Sequence, residues 1–280
     1  MTATAVLTGL GVLATAVPAG AASTPARNNS KSEDVLLVHG YDPVWAAKFD
    51  CKDYFKDVIK GFKDYKWKGK VRGVAFYKDD WNCDFRIAKG ERDRGLKQLG
   101  KDLANKIYKD YTSKGKSVDL LGHSMGGLII QAALTGVAKK ESGFPKKLYV
   151  EDVVTLGTPH AGTGWGWGHD YQQTKDMRPK SSFLKWLKNN PQSTQATDWT
   201  AIGSNSDAIV SETSATAGGF KHWARYDNLP GVDDHAALKA VGTGTHKMQY
   251  RNEPGGTSSW KKRGAPVDWA TASLYYYTSW

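Results

Sequence analysis

The segment Val118-Asp119-Leu120-Leu121-Gly122-His123-Ser124-Met125-Gly126-Gly127-Leu128-Ile129-Ile130 decides the fold. Its first four residues read as a short buried strand, and residues 125–139 read as a helix that begins at once behind it. Gly122-x-Ser124-x-Gly126 alone is a weak pattern, met by chance about once in ten chains of this length. The strand–turn–helix setting gives it weight. A turn that sharp forces the serine into a strained backbone conformation and leaves its hydroxyl exposed at the strand end. Gly122 and Gly126 leave room for the turn, and Gly127 adds slack.

Working outward, the same alternation recurs. Val35-Leu36-Leu37-Val38 is a continuous apolar run, as expected of a strand covered on both faces, and Gly40 ends it. Residues 43–64 read as helical. Val71 to Tyr77 is the next strand, and 90–112 a second helix with Leu96, Leu99, Leu103 and Ile107 at helical spacing. Further strands are expected at Val150 to Leu156, Trp199 to Ile202 and His222 to Arg225, and a short helix at Ala236 to Val241. Strands alternating with helices predict an α/β architecture: a mainly parallel central sheet with helices on both faces. Reactive groups then belong outside the carboxyl ends of the strands.

The expected organisation is a signal peptide over 1–22, a flexible segment over 23–33 and a single domain over 34–280. Residues 1–22 carry no charged side chain, and Ala19-Gly20-Ala21 is a small-x-small cleavage site, so the protein is expected to be secreted. No later stretch is apolar for long enough to cross a membrane. Export makes a disulfide the expected state of Cys51 and Cys83, the two cysteines of the chain. Closing a loop of about 30 residues is worth roughly 3–4 kcal/mol. Two stretches depart from the alternation. Residues 160–198 form a long, cap-like connection containing Gly164-Trp165-Gly166-Trp167-Gly168. In its later part, Phe183, Leu184 and Leu187 are read as packing inward; the competing reading turns Trp165, Trp167, Phe183, Trp186 and Leu187 towards lipid. Residues 243–280 read as an aromatic extension packed on the domain.

Composition narrows the function. Of 280 residues, 40% are hydrophobic and 24% charged, which excludes a disordered chain. Lys and Arg number 39 against 28 Asp and Glu, a formal charge of +11. No run of five or six like charges occurs, so the excess reads as a solvated basic surface, with transient contact to an anionic lipid surface as its functional reading. Nothing in the spacing suggests nucleic-acid binding. No metal constellation is visible: two distant cysteines cannot build a zinc site, and His160, His169 and Asp170 are scattered.

A serine hydroxyl needs a base to take its proton during attack. His235, in Gly231-Val232-Asp233-Asp234-His235, lies in a loop behind the late strands, and His222 is the next choice. His160 is placed lining the cleft. The imidazole needs an acid to hold its tautomer. Asp207 lies just past the strand ending at Ile202, whereas Asp233 and Asp234 sit too close in sequence to reach the ring well. The chain order is Ser124, Asp207, His235, as in α/β-hydrolases. Two backbone N–H groups should stabilise the tetrahedral intermediate. Met125, at the helix start, supplies one, and Tyr41, after His39-Gly40, supplies the other.

Val38-His39-Gly40, Gly122-His123-Ser124-Met125-Gly126-Gly127, Thr155-Leu156-Gly157-Thr158-Pro159-His160 and Ser206-Asp207-Ala208-Ile209-Val210 together resemble a secreted bacterial lipase/esterase of the α/β-hydrolase superfamily. The resemblance runs from about Asp34 to Val241. It implies the α/β-hydrolase fold, Ser124 as nucleophile, Asp207 as acid, His235 as base and the Tyr41 and Met125 amides as oxyanion hole. The cysteine pair, the 160–198 connection and the aromatic tail depart from the minimal enzymes of that group. The expectation is a monomeric serine esterase/lipase acting on carboxylic, acylglycerol-type esters without a cofactor. Phospholipase, polyester hydrolase, thioesterase and amidase activities share the triad, and a catalytically silent cell-surface binding protein is the alternative of another class.

Overall fold

Leu36 and Val38 of β1 (Val35–Val38) point to one side, and Val35 and Leu37 to the other, and all four are fully buried. A four-residue strand with no polar position has to be covered twice. The computed structural model describes residues 1, 23–43, 49–166, 168–231, 233–253 and 255–275. The expected leader and its cleavage site, Trp167, Tyr276 and Tyr277 lie outside the described residues.

Among these residues the elements follow as α1 (Cys51–Tyr54), α2 (Lys56–Asp64), β2 (Val71–Tyr77), β3 (Phe85–Gly90), α3 (Leu96–Asp110), β4 (Val118–His123), α4 (Met125–Ala138) and β5 (Val150–Leu156). Then come α5 (Gln172–Met177), α6 (Ser182–Trp186), β6 (Asp198–Ser204), α7 (Glu212–Ala215), β7 (His222–Tyr226), α8 (Asp234–Ala237), β8 (Thr245–Asn252), β9 (Lys261–Gly264) and α9 (Pro266–Ser273). The sheet order is β3-β2-β1-β4-β5-β6-β7-β8-β9. Strands β1 to β7 are parallel, and β8 and β9 continue the sheet antiparallel. This is the α/β-hydrolase fold. Strand order reverses between β1 and β4, so the loops behind them diverge and leave a crevice at their carboxyl ends.

Alternation along the strands builds two cores. Leu36, Val38 and Leu120 pack with Leu99 and Leu103 of α3 and Ile129 and Ile130 of α4. Val35, Leu37 and Leu121 pack on the other face with Val58 and Phe62 of α2 and Val267 and Ala270 of α9. Each such fully buried side chain contributes about 1.5–3 kcal/mol before entropy is counted. Helix α4 is buried along almost its whole length, as an apolar helix between sheet and α3 should be.

Three differences from the sequence reading have clear causes. The region expected to be one helix over 43–64 holds the short α1 and α2, and Phe55 between them is a bend with φ −106°. Strand β3 was not expected, because Phe85-Arg86-Ile87-Ala88-Lys89-Gly90 sits at a sheet edge and needs no apolar run. The stretch 243–280 is not a mere tail: it supplies β8, β9 and α9. In β8 the sole fully covered side chain is Met248, so its polar sequence resembles a surface segment.

Residues 23–33, expected as a flexible lead-in, run along the amino ends of β4, β5 and β6. Arg27 bonds the Asp152 carboxylate and the carbonyls of Glu151 and Ala196, and Asn28 N–H donates to Glu151 Oε2 at 2.9 Å. Cys51 and Cys83 are joined in a disulfide, which ties the start of α1 to the loop before β3. The inward reading of 183–187 holds: Phe183 is buried, and Leu184, Trp186 and Leu187 pack on the core.

Candidate active site

Ser124 stands between β4 and α4 with φ 55° and ψ −130°, a conformation side chains adopt only under constraint. Holding a non-glycine residue there costs of the order of 1–3 kcal/mol, so its surroundings must over-determine it. They do so through the end of β5. Ser124 N–H donates to the Leu156 carbonyl at 2.8 Å, and the Ser124 carbonyl accepts from Thr158 Oγ at 2.9 Å. Helix α4 enters tightly against β1: a Cβ on Gly126 would fall 2.0 Å from the Val38 carbonyl oxygen.

Asp207 lies in the turn behind β6. Its Oδ1 accepts from Ile209 N–H at 2.8 Å and Val210 N–H at 2.9 Å, which leaves Oδ2 to face His235 Nδ1 at 2.7 Å. The Asp207 side chain is fully buried and that of His235 is 11% exposed. Three constraints on the carboxylate fix the imidazole plane. The ring rests on the end of β5, where a Cβ on Gly157 would come within 3.1 Å of Nδ1. Gly157 directly follows Leu156, the residue that holds Ser124, so the expected base and the expected nucleophile share one strand end.

The neighbouring carboxylates are engaged elsewhere. Asp233 Oδ1 caps α8 by accepting from His235 N–H at 2.9 Å. Asp234 Oδ2 accepts from Ser204 Oγ at 2.5 Å and Leu229 N–H at 3.2 Å. His222, the alternative base, sits at the start of β7 with its Nε2 3.3 Å from Asp198 Oδ1, at the opposite end of the sheet from Ser124. His160 does not line the cleft. It is buried between Thr155 Oγ at 3.0 Å and Gln131 Oε1 at 2.8 Å, and burial pushes its imidazole down to about 3.

The two expected oxyanion donors flank Ser124. Met125 opens α4, where its amide has no helical acceptor. The strand end at Gly40 comes so close that a Cβ there would lie 2.9 Å from Ser124 Cβ and 3.4 Å from its Oγ. Among the described residues, neither the Tyr41 nor the Met125 amide donates a hydrogen bond. Trp165 of the long connection packs edge-on to Tyr41, with ring centroids 5.9 Å apart, and stacks with His169. Burial pushes the Tyr41 phenol up to about 12.

Four further residues hold the site, and sequence reasoning gave none of them this part. His39 is sandwiched between Phe49 and Phe76, with centroids at 3.8 and 4.0 Å. Its Nδ1 donates to the Gly40 carbonyl at 2.8 Å, and its Nε2 meets Asp80 Oδ2 at 3.2 Å. Asp80 Oδ2 also accepts the Phe76 and Tyr77 amides, each at 2.7 Å. Tyr54 of α1 accepts from Gly40 N–H at 3.3 Å and bonds His123 Nδ1, while His123 Nε2 bonds the His235 carbonyl at 2.8 Å. The pairing of His39 with Asp80, or of Tyr54 with His123, spans separations no local signal carries.

A family model described as the PGAP1-like alpha/beta domain matches residues 45–216. Among curated proteins, the chain is similar to the GPI inositol-deacylase of Coccidioides immitis, 28% identical over 153 residues that make up 49% of this chain and 13% of that protein. It is also similar to the GPI inositol-deacylase of Aspergillus fumigatus, 24% identical over 166 residues, 54% of this chain and 14% of that protein. The match thus spans a small fraction of these fungal proteins' length. Among solved structures, the mature form of the Bacillus licheniformis lipase BlEst2 is 18% identical, with 77% of this chain and 91% of that chain covered and a TM-score of 0.48.

Proposed function

Because the chain belongs to the PGAP1-like alpha/beta domain family and has the α/β-hydrolase fold, we propose that it is a hydrolase that cleaves carboxylic esters of lipids through a serine acyl-enzyme. The observation that carries this reading is the Asp207–His235 pair at 2.7 Å, set at the strand end that also holds the strained Ser124. Ser124 Oγ attacks the acyl carbonyl while His235 Nε2 takes its proton. Asp207 keeps the other ring proton on Nδ1 and stabilises the imidazolium. The Tyr41 and Met125 amides receive the negative charge of the tetrahedral oxygen. His235 then protonates the leaving alcohol, and a water molecule repeats the attack to release the acid.

Acylglycerol-type esters are the substrates favoured by the motif resemblance. The name of the fungal relatives adds an acyl group on an inositol lipid as a second candidate. Export remains part of the proposal, supported by the Cys51–Cys83 disulfide, a bond that persists in oxidising compartments. Among the described residues no helix is long and apolar enough to cross a membrane.

The test is to treat the purified protein with a fluorophosphonate probe and with p-nitrophenyl esters of graded chain length, alongside Ser124→Ala. Labelling at Ser124 together with ester turnover, both lost in the variant, is the expected result. A folded wild-type protein that neither labels nor turns over any ester, thioester or amide would overturn the proposal and leave the binding-protein reading.

A further inference from the structure

The three segments that must be held in register for this chemistry, the β1 end, the turn at Ser124 and the loop of His235, are joined by a hydrogen-bond chain that none of the catalytic steps uses. Its polarity can be worked out from donor and acceptor counts. Gly40 N–H can only donate, so Tyr54 Oη is its acceptor at 3.3 Å. The single Tyr54 O–H proton is then free to point at His123 Nδ1. The His235 carbonyl can only accept, so the proton of the neutral His123 ring must lie on Nε2, 2.8 Å away. A proton on Nδ1 instead would leave Nε2 lone pair against carbonyl lone pair. Every member thus has one arrangement, and it runs one way.

Resting on the acyl-enzyme reading above, we propose that Tyr54 and His123 are positioning residues. The chain Gly40 N–H to Tyr54 Oη, Tyr54 O–H to His123 Nδ1 and His123 Nε2–H to His235 C=O sets the oxyanion strand end, the nucleophile turn and the base loop against one another. The environment supports this polarity. His123 is buried and Tyr54 is partly buried against the core, and loss of water contact raises the Tyr54 phenol well above its ordinary value and lowers the His123 imidazole well below its own. Tyr54 therefore stays a donor and His123 stays neutral. The groups facing them are His39, His235 and Lys239, whose ammonium lies 4.2 Å over the Tyr54 ring and disfavours a charged His123. Asp53, Asp57 and Asp233 lie around Lys239 in turn.

The chain also accounts for the oxyanion peptide. Gly40 N–H is held by Tyr54, and the Gly40 carbonyl is held by His39 Nδ1 at 2.8 Å. In a trans peptide the carbonyl and the following N–H point opposite ways. Fixing the Gly40 carbonyl on His39 therefore fixes the direction of the Tyr41 N–H. A side chain lost from this chain leaves all triad atoms in place but loosens their spacing, and a misplacement near 1 Å costs about 10²-fold in rate.

The test uses Tyr54→Phe, His123→Ala and His123→Gln in the full chain. Readouts are kcat and KM on a soluble p-nitrophenyl ester, the fluorophosphonate labelling rate, and melting. Tyr54→Phe is expected to lower kcat and labelling about 10- to 100-fold with KM changed less than about threefold and the protein still cooperatively folded. His123→Gln, whose amide still donates towards His235, should retain more kcat than His123→Ala. The loss in the double variant Tyr54→Phe with His123→Ala should fall well short of the product of the two single losses, since both remove the same Tyr54–His123 bond. Variants with wild-type kcat, or losses that multiply, would overturn the proposal while leaving the enzyme assignment intact. Nitrogen-15 NMR gives a readout that needs no activity: at neutral pH His123 should be a neutral Nε2–H tautomer, and its Nδ1 resonance should shift in Tyr54→Phe. A protonated His123, or the Nδ1–H tautomer, refutes it.

Discussion

Asp207→Asn isolates the proton logic of the site from its shape. The substitution keeps size and keeps the turn, because Oδ1 is anchored by the Ile209 and Val210 amides at 2.8 and 2.9 Å. Those two donors force the asparagine to place its carbonyl oxygen on them and its NH2 at the Oδ2 position, 2.7 Å from His235 Nδ1. Nδ1 then has to accept, so the ring proton moves to Nε2, the nitrogen that must receive the Ser124 proton. Base and positive-charge stabiliser are lost together. A wrong tautomer in this arrangement costs about 10⁴-fold in kcat, equivalent to about 5 kcal/mol of transition-state stabilisation. The assay is kcat on a short soluble ester beside the fluorophosphonate labelling rate, with thermal melting as the control for folding. Labelling should fall with kcat, because both need the Ser124 proton removed, and melting should move by only a few degrees. A folded Asp207→Asn protein within tenfold of wild type would refute the assignment of Asp207 as the partner that sets the His235 tautomer.

Other perturbations probe separate parts of the fold. Gly40→Ala adds one methyl group 2.9 Å from Ser124 Cβ and 3.0 Å from Tyr54 Oη, so the strand end must retreat from the nucleophile; the expected kcat loss is about 10²-fold, as for loss of an oxyanion donor, and an unchanged kcat would place the oxyanion hole elsewhere. Replacing Cys51 and Cys83 together by alanine should lower unfolding free energy in urea by up to roughly 3–4 kcal/mol, and a loss under about 1 kcal/mol would mean the loop is already constrained in the unfolded chain. The His160 imidazole, at about 3 when folded, is depressed relative to its value of about 6.5 in the unfolded chain. The unfolded state therefore binds the extra proton between these values, so stability present above about pH 6.5 is lost as pH falls towards 3. His160→Gln should flatten that acid limb in urea melts between pH 7 and 4, and an unaltered slope would assign the limb to other groups. Asp119, whose carboxyl is raised well above its usual range by burial and by Asp152, has the opposite sign: its folded form prefers the proton, so stability falls as pH rises through the window. Asp119→Asn should raise the melting temperature at pH 7 and lose that advantage in acid.

The sequence by itself determined what depends on neighbours along the chain. Val35 to Val38 could only be a strand covered twice, and the Gly122–Gly126 turn between an apolar strand and an apolar helix could only present Ser124 at a strand end. The meeting of Asp207 with His235 was legible because each follows a strand of the expected parallel sheet, and that sheet rule turns sequence position into a place at one rim. The tertiary structure decided what depends on distant partners. Edge strands β3, β8 and β9 bury too little to carry an apolar signature, so their pairing is visible only once the rest of the sheet is built. His160 followed a strand end as a cleft residue would, yet Gln131 and Thr155 close it into the core. Tyr54 is one aromatic residue in a short polar helix, and nothing nearby marks it. Its meaning comes from Gly40 and His123, which lie 14 and 69 positions away and which the sheet alone brings within one hydrogen bond of its hydroxyl. Local pattern specifies where a chain can turn and bury itself; hydrogen bonds between loops are satisfied only after packing has fixed the loops in space.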